Sequence, residues 1–119
     1  MPSRVVVACE EAEFANITAD ALRTTERSVI AFHDSMAALD ALEAASKVEL
    51  LVTCMEFGPG KVNGIALARM ARLKKPGVRV LFVGKPEYEK HAKGLGDFLI
   101  WPVAIEEVVQ RSQRLLHDR

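Results

Sequence analysis

Cys9 and Cys54, with the carboxylates Glu10 and Glu56 just beyond them, are the residues of this chain best suited to chemistry at one place. Each cysteine closes an apolar, β-branched run, VVVAC and LLVTC, and such strands commonly deliver working side chains at their C-terminal tips. A facing pair of thiols can cycle between dithiol and disulfide. Cysteine is also among the residues most often buried for packing alone, and two small side chains filling a pocket is the expected role here. Glu10 and Glu56 are weak candidates for a divalent cation, because so few carboxylates would bind it loosely. Solvated acids at a strand end account for them better, and no metal is expected. His33, His91 and His117 show no metal-ligand spacing and read as surface or structural residues. The loop Phe57-Gly58-Pro59-Gly60-Lys61 lacks the strand, G-x-x-x-x-G-K-[ST], helix layout of a phosphate cradle and reads as a flexible turn.

Whatever these residues do, the chain that positions them is of single-domain length. Its 119 residues, 50% hydrophobic and 27% charged, are expected to form one globular domain over residues 1–119, and no output domain is expected to follow. Lys plus Arg and Asp plus Glu are 16 each, which argues against nucleic acid or an anionic membrane as partner. The one basic concentration, Arg69, Arg72, Lys74, Lys75 and Arg79, fits the solvated face and C-terminal end of a helix. Two distant cysteines make no secreted disulfide framework. No signal peptide is expected, since no long apolar segment precedes a cleavage site near the N-terminus, and no apolar run approaches the roughly 18 residues of a membrane span. A cytoplasmic protein with reduced thiols and no cofactor is expected.

Short β-rich runs alternate with helical patterns throughout. Strands are expected at Arg4–Ala8, Ser28–Phe32, Leu50–Cys54, Arg79–Val83 and Phe98–Ile100. A helix over Glu11–Thr24 would have Phe14, Ile17 and Ala21 on one side. A second, capped by Asp34 or Ser35 and running to Ala45, would face Met36, Leu39 and Leu42 inward. Asn63 would cap a third helix reaching Lys75, where Pro76-Gly77 stops it. A short, weak helix is expected within Glu87–Lys93, before Gly94-Leu95-Gly96. The last, Ile105–His117, repeats Val108, Val109, Ser112, Leu115 and Leu116 at helical spacing. Five strand-helix units with right-handed crossovers give an α/β sandwich around a parallel sheet, with the flavodoxin-like order 2-1-3-4-5 leading. That order sets the first and third strands side by side, so Cys9 and Cys54 should come close enough to touch.

VVVACEE, LLVTCMEFGPGKVNG, VLFVGKPE and GDFLIWPVAIEEV, in that order, resemble the receiver domain of bacterial two-component response regulators, over essentially the whole chain. The resemblance implies an aspartate phosphorylated at the end of the third strand and an acidic pair that holds Mg²⁺ after the first. It also implies a Thr or Ser ending the fourth strand, a Lys before proline after the fifth, and a switch aromatic on the fifth. Position by position, the acidic pair falls on Cys9 and Glu10, and the phosphoacceptor on Cys54. The hydroxyl falls on Gly84, directly or beside a one-residue gap, the lysine on Trp101 and the aromatic on Phe98. Nucleophile, cations and hydroxyl donor act as a unit in phosphoryl transfer. The resemblance is therefore to a degenerate receiver, with no catalytic residue.

The leading expectation is a non-enzymatic signalling module acting on a protein partner or as a homodimer. In receivers the surface used is the fourth helix, fifth strand and fifth helix, here Glu87–Lys93, Phe98–Ile100 and the outer side of Ile105–His117. The runner-up is a redox or small-molecule sensor using Cys9, Cys54 and Trp101; a residual phosphorelay enzyme ranks last. By the same resemblance Trp101-Pro102 should be cis. The indole is expected inward over the tips of the third and fourth strands, near Cys54 and Gly84, the alternative being an outward partner anchor.

Overall fold

The computed structural model describes residues 3–24 and 27–117. The chain ends, on which the reading of a single domain without a following one depends, lie outside them. Strand and helix alternate in the order β1 (Ser3–Ala8), α1 (Ala12–Leu22), β2 (Arg27–Phe32), α2 (Ser35–Ala44), β3 (Val48–Cys54), α3 (Gly64–Lys74), β4 (Arg79–Gly84), α4 (Glu89–Ala92), β5 (Asp97–Ile100) and α5 (Ile105–His117). A 3₁₀ turn, Pro86–Tyr88, leads directly into α4, so the weak helix expected over Glu87–Lys93 is a 3₁₀ turn followed by one α-helical turn. All strand pairs are parallel and the order is β2-β1-β3-β4-β5, the flavodoxin-like arrangement.

Alternation along the strands sorts the core into two layers, because successive side chains point to opposite sheet faces. Val6, Ala8, Leu51, Val80 and Phe82 pack with Leu39 and Leu42 of α2 and Leu67 and Ala71 of α3. Val5, Val7, Leu50, Val52, Leu81 and Val83 pack on the other side with Phe14 and Ala19 of α1 and Val108 of α5. Cys9 and Cys54 continue this second set, so both sulfurs lie on the α1/α5 face.

Helix ends follow their capping residues. The Asp34 carboxylate, not the Ser35 hydroxyl, caps α2 by accepting from Ala37 N at 3.1 Å. Asn63 caps α3 through Ala66 N at 2.9 Å. Two inward faces differ from those read off the periodicity. In α1 the buried residues are Phe14, Ala15, Thr18, Ala19 and Leu22, while Ile17 is 45% exposed and Ala21 is exposed. Small Ala15 and Ala19 let the helix lie close to the sheet, and that approach chose the stripe beside Phe14 that lacks the larger isoleucine. In α2 Met36 is 43% exposed and Ala38 takes the inward place beside Leu39 and Leu42.

Candidate functional site

The C-terminal ends of β1 and β3 meet at the point where the chain winds to opposite sides of the sheet. Register pairs Val5 with Leu50, Val7 with Val52 and Ala8 with Thr53. The next residues in phase are Cys9 and Cys54. Their Cα atoms are 5.0 Å apart and the side chains are joined as a disulfide across 45 positions of sequence. The separation lies within the usual range for such a bridge. Contact between the two was expected; the bond corrects the expectation of reduced thiols. That expectation rested on compartment, whereas parallel register alone brings the two sulfurs within bonding reach.

Cys9, Glu10, Cys54, Gly84 and Trp101 share the lining of one open cleft of about 320 Å³, together with Tyr88. Cys9 is 3% exposed and Cys54 is half-buried, so the cleft reaches the bridge from the Cys54 side. Glu10 and Glu56 are both exposed on its rim. The Tyr88 hydroxyl donates to Glu56 Oε1 at 2.7 Å, a contact between residues 32 apart that no local pattern could announce. Among the described residues no group of three or more His, Cys, Asp or Glu converges to hold a metal ion.

The Glu56 carboxylate raises the Tyr88 pKa above its ordinary value, mainly because the neutral phenol donates to it. Phenolate absorbance of this single tyrosine should therefore appear at higher pH in the folded protein than after unfolding. Glu56→Gln should bring it back down. The sign follows from linkage: the contact contributes stability below the unfolded-state pKa and loses it as pH rises through the folded-state value. An unchanged titration in Glu56→Gln would show that this hydrogen bond does not set the pKa.

Gly84 is tight for a different reason from the one its position suggested. A Cβ there would collide with Met55 Cγ and lie 3.5 Å from Phe98 Cζ. Met55, 5% exposed and overlooked in the sequence, thus occupies the space beside Gly84 that was expected to hold the indole. Trp101-Pro102 is cis as expected, and Trp101 N donates to Gly84 O at 2.8 Å. The ring itself lies edge-on to Phe14 of α1, with centroids 5.0 Å apart and planes at 82°. It remains 39% exposed at the rim of the cleft. The ring thus stays at the cleft with Cys54 and Gly84, as expected, but it packs on Phe14 at the rim and does not fill the volume over Gly84, which Met55 takes.

The glycine loop after β3 uses positive φ at Gly58 and Gly60 to turn. Its Lys61 pairs with Asp34 Oδ1 at 3.0 Å, tying the loop to the start of α2. That cation, with the hydrogen bond from Ala37 N, holds the Asp34 carboxyl below its ordinary pKa. Phe98 stands half-buried on β5 opposite Phe82.

No protein-family model matches the sequence, and no curated protein matches it. Solved structures do. The receiver domain of the hybrid histidine kinase CckA superposes with a TM-score of 0.78 at 23% identity, covering 97% of this chain and 100% of that one. A response regulator receiver protein from Sinorhizobium medicae WSM419 gives 0.83 at 19% identity, covering 98% and 96%. The Vibrio cholerae chemotaxis protein CheY4 gives 0.82 at 16% identity, covering 98% and 100%. At these identities the likeness is one of fold: the chain has the architecture of response regulator receiver domains.

Proposed function

We propose that this protein is a non-enzymatic signal-transduction module of the receiver type that works through protein contacts and without aspartyl phosphorylation. The observation that carries the reading is the state of the β3 tip. By the sequence resemblance Cys54 falls at a receiver's phosphoacceptor position, and its sulfur is bonded to Cys9. A disulfide sulfur offers neither a carboxylate nor a thiolate to attack a phosphoryl donor. The surroundings agree, since Glu10 is the one carboxylate of the former acidic pair, Gly84 offers no hydroxyl, and Trp101 offers no cation.

Signal output then has to pass through shape. The surface formed by α4, β5 and the outer side of α5 is the proposed contact face for a protein partner or a second copy. Ile100, 49% exposed at the end of β5, supports it as an exposed apolar side chain on that face. The cytoplasm is the proposed location; no helix of the described residues is long and apolar enough to cross a membrane.

Incubation with acetyl phosphate and Mg²⁺ should leave the intact mass unchanged, and stoichiometric gain of a phosphoryl group would overturn the reading. Cys54→Asp should not restore efficient phosphorylation either, because the supporting cations and hydroxyl stay absent.

A further inference from the structure

The disulfide at the strand tips supports a chemistry beyond partner binding. We propose that Cys9 and Cys54 form a reversible dithiol/disulfide site whose co-reactant is a low-molecular-weight thiol entering the cleft beside Trp101. The inference shares the Cys54 sulfur with the signalling reading but does not rest on it, since an opened bridge still offers a phosphoryl donor no carboxylate at Cys54, no hydroxyl at Gly84 and no cation at Trp101.

Three observations carry it. The sheet register itself juxtaposes the two sulfurs, with Ala8 paired to Thr53 immediately before them and Cα atoms 5.0 Å apart. The strands that hold them are joined by a ladder ending at Ala8 and Thr53 that does not involve the sulfurs, so reoxidation would need no search for the partner. Finally, the two sulfurs are unequally reachable. Cys9 is 3% exposed and packs with Val7 and Phe14 in the α1/α5 layer, whereas Cys54 is half-buried where an open cleft of about 320 Å³ meets it. That cleft is large enough for a small thiol, and access decides which sulfur a thiolate attacks.

The exchange balances as follows. A thiolate RS⁻ attacks the Cys54 sulfur, forming a mixed disulfide there while the Cys9 sulfur leaves as thiolate and takes a proton. A second RS⁻ attacks the R-side sulfur of the mixed disulfide, releasing Cys54 as thiolate, which is protonated in turn. In sum, the bridge and two RSH become two protein thiols and RSSR, two electrons passing to the protein. Oxidation is the reverse, with a low-molecular-weight disulfide as oxidant.

The test uses the whole chain and glutathione buffers of graded reduced-to-oxidised ratio, with alkylation of free thiols and intact mass as the readout. The native protein should titrate between bridged and dithiol forms with circular dichroism retained. The emission of Trp101, the only tryptophan, should change in step, because its ring lines the same cleft. In single-cysteine variants, oxidised glutathione should modify Cys54 in Cys9→Ser about tenfold or more faster than Cys9 in Cys54→Ser, following access. Should either variant fail to fold, peptide mapping of the wild-type protein quenched early in reduction gives the same answer, with glutathione on Cys54 and the alkyl group on Cys9. A bridge that yields only in denaturant would overturn the proposal. So would thiols that stay free in the most oxidising buffer, or equal modification at both cysteines.

Discussion

Loss of the Cys9–Cys54 bridge should lower the unfolding free energy by about 2–4 kcal/mol, measured by urea denaturation of the oxidised and reduced protein. The bond closes a loop across 45 sequence positions. The chain-entropy relation puts such a closure near the upper end, about 4 kcal/mol, because an unfolded chain with that loop tied has fewer conformations to gain. The folded side changes less. The ends of β1 and β3 remain paired through the ladder that ends at Ala8 and Thr53, and Cys9 N still donates to Phe32 O at 3.0 Å. Cys9→Ser/Cys54→Ser should behave like the reduced wild type and unfold with a steeper urea dependence than the oxidised protein, since the untied chain exposes more surface. A difference below about 0.5 kcal/mol, the size of an ordinary surface substitution, would show that the bridge does not constrain the unfolded chain as loop closure requires.

Gly64→Ala is expected to cost about 2–3 kcal/mol, even though alanine is the better helix former by about 1 kcal/mol. The first residue of α3 lies against the end of β3, with Gly64 N donating to Met55 O at 2.9 Å. A Cβ there would run into the carbonyl of Cys54, and its next neighbour would be Met55 Cα at 3.1 Å. Backbone cannot step aside as a flexible side chain can, so steric cost outweighs propensity. The substitution should also disturb the strand tip that carries Cys54, shifting Trp101 emission together with stability. Gly77→Ala is the control. Nothing lies within 4 Å of a Cβ there, and the change should be neutral or mildly stabilising through the unfolded chain. If Gly64→Ala proved as harmless as Gly77→Ala in thermal unfolding, the close approach of α3 to β3 would be wrong.

The sequence by itself determined the alternation of five strands with five helical segments, and with it the parallel sheet and its order. Apolar runs such as VVVA and LLVT can be satisfied only by burial on both faces. Parallel strands joined through right-handed crossovers leave few topologies for that alternation. Meeting of Cys9 and Cys54 followed from the same logic, since each is the next residue in phase at the end of neighbouring strands. The Asn63 cap and the stop at Pro76-Gly77 were equally legible, because these are properties of a few adjacent residues.

Only the tertiary structure decided which surface each periodic stripe would meet. In α1 the spacing permits Ile17 and Ala21 as readily as Thr18 and Leu22; the closeness of helix to sheet chose the latter. The volume beside Gly84 went to Met55, whose neighbouring backbone already lay there, and Trp101 was left to pack against Phe14 at the rim. Tyr88 with Glu56 and Lys61 with Asp34 join residues whose separation in sequence carries no periodic signal. The geometry that lets the two sulfurs bond belongs to the same class, because a Cα separation of 5.0 Å is a property of the assembled strands while composition speaks only of compartment. Local sequence fixes dihedral preference and phase, whereas competition for a shared volume is settled only when all the competing side chains arrive together.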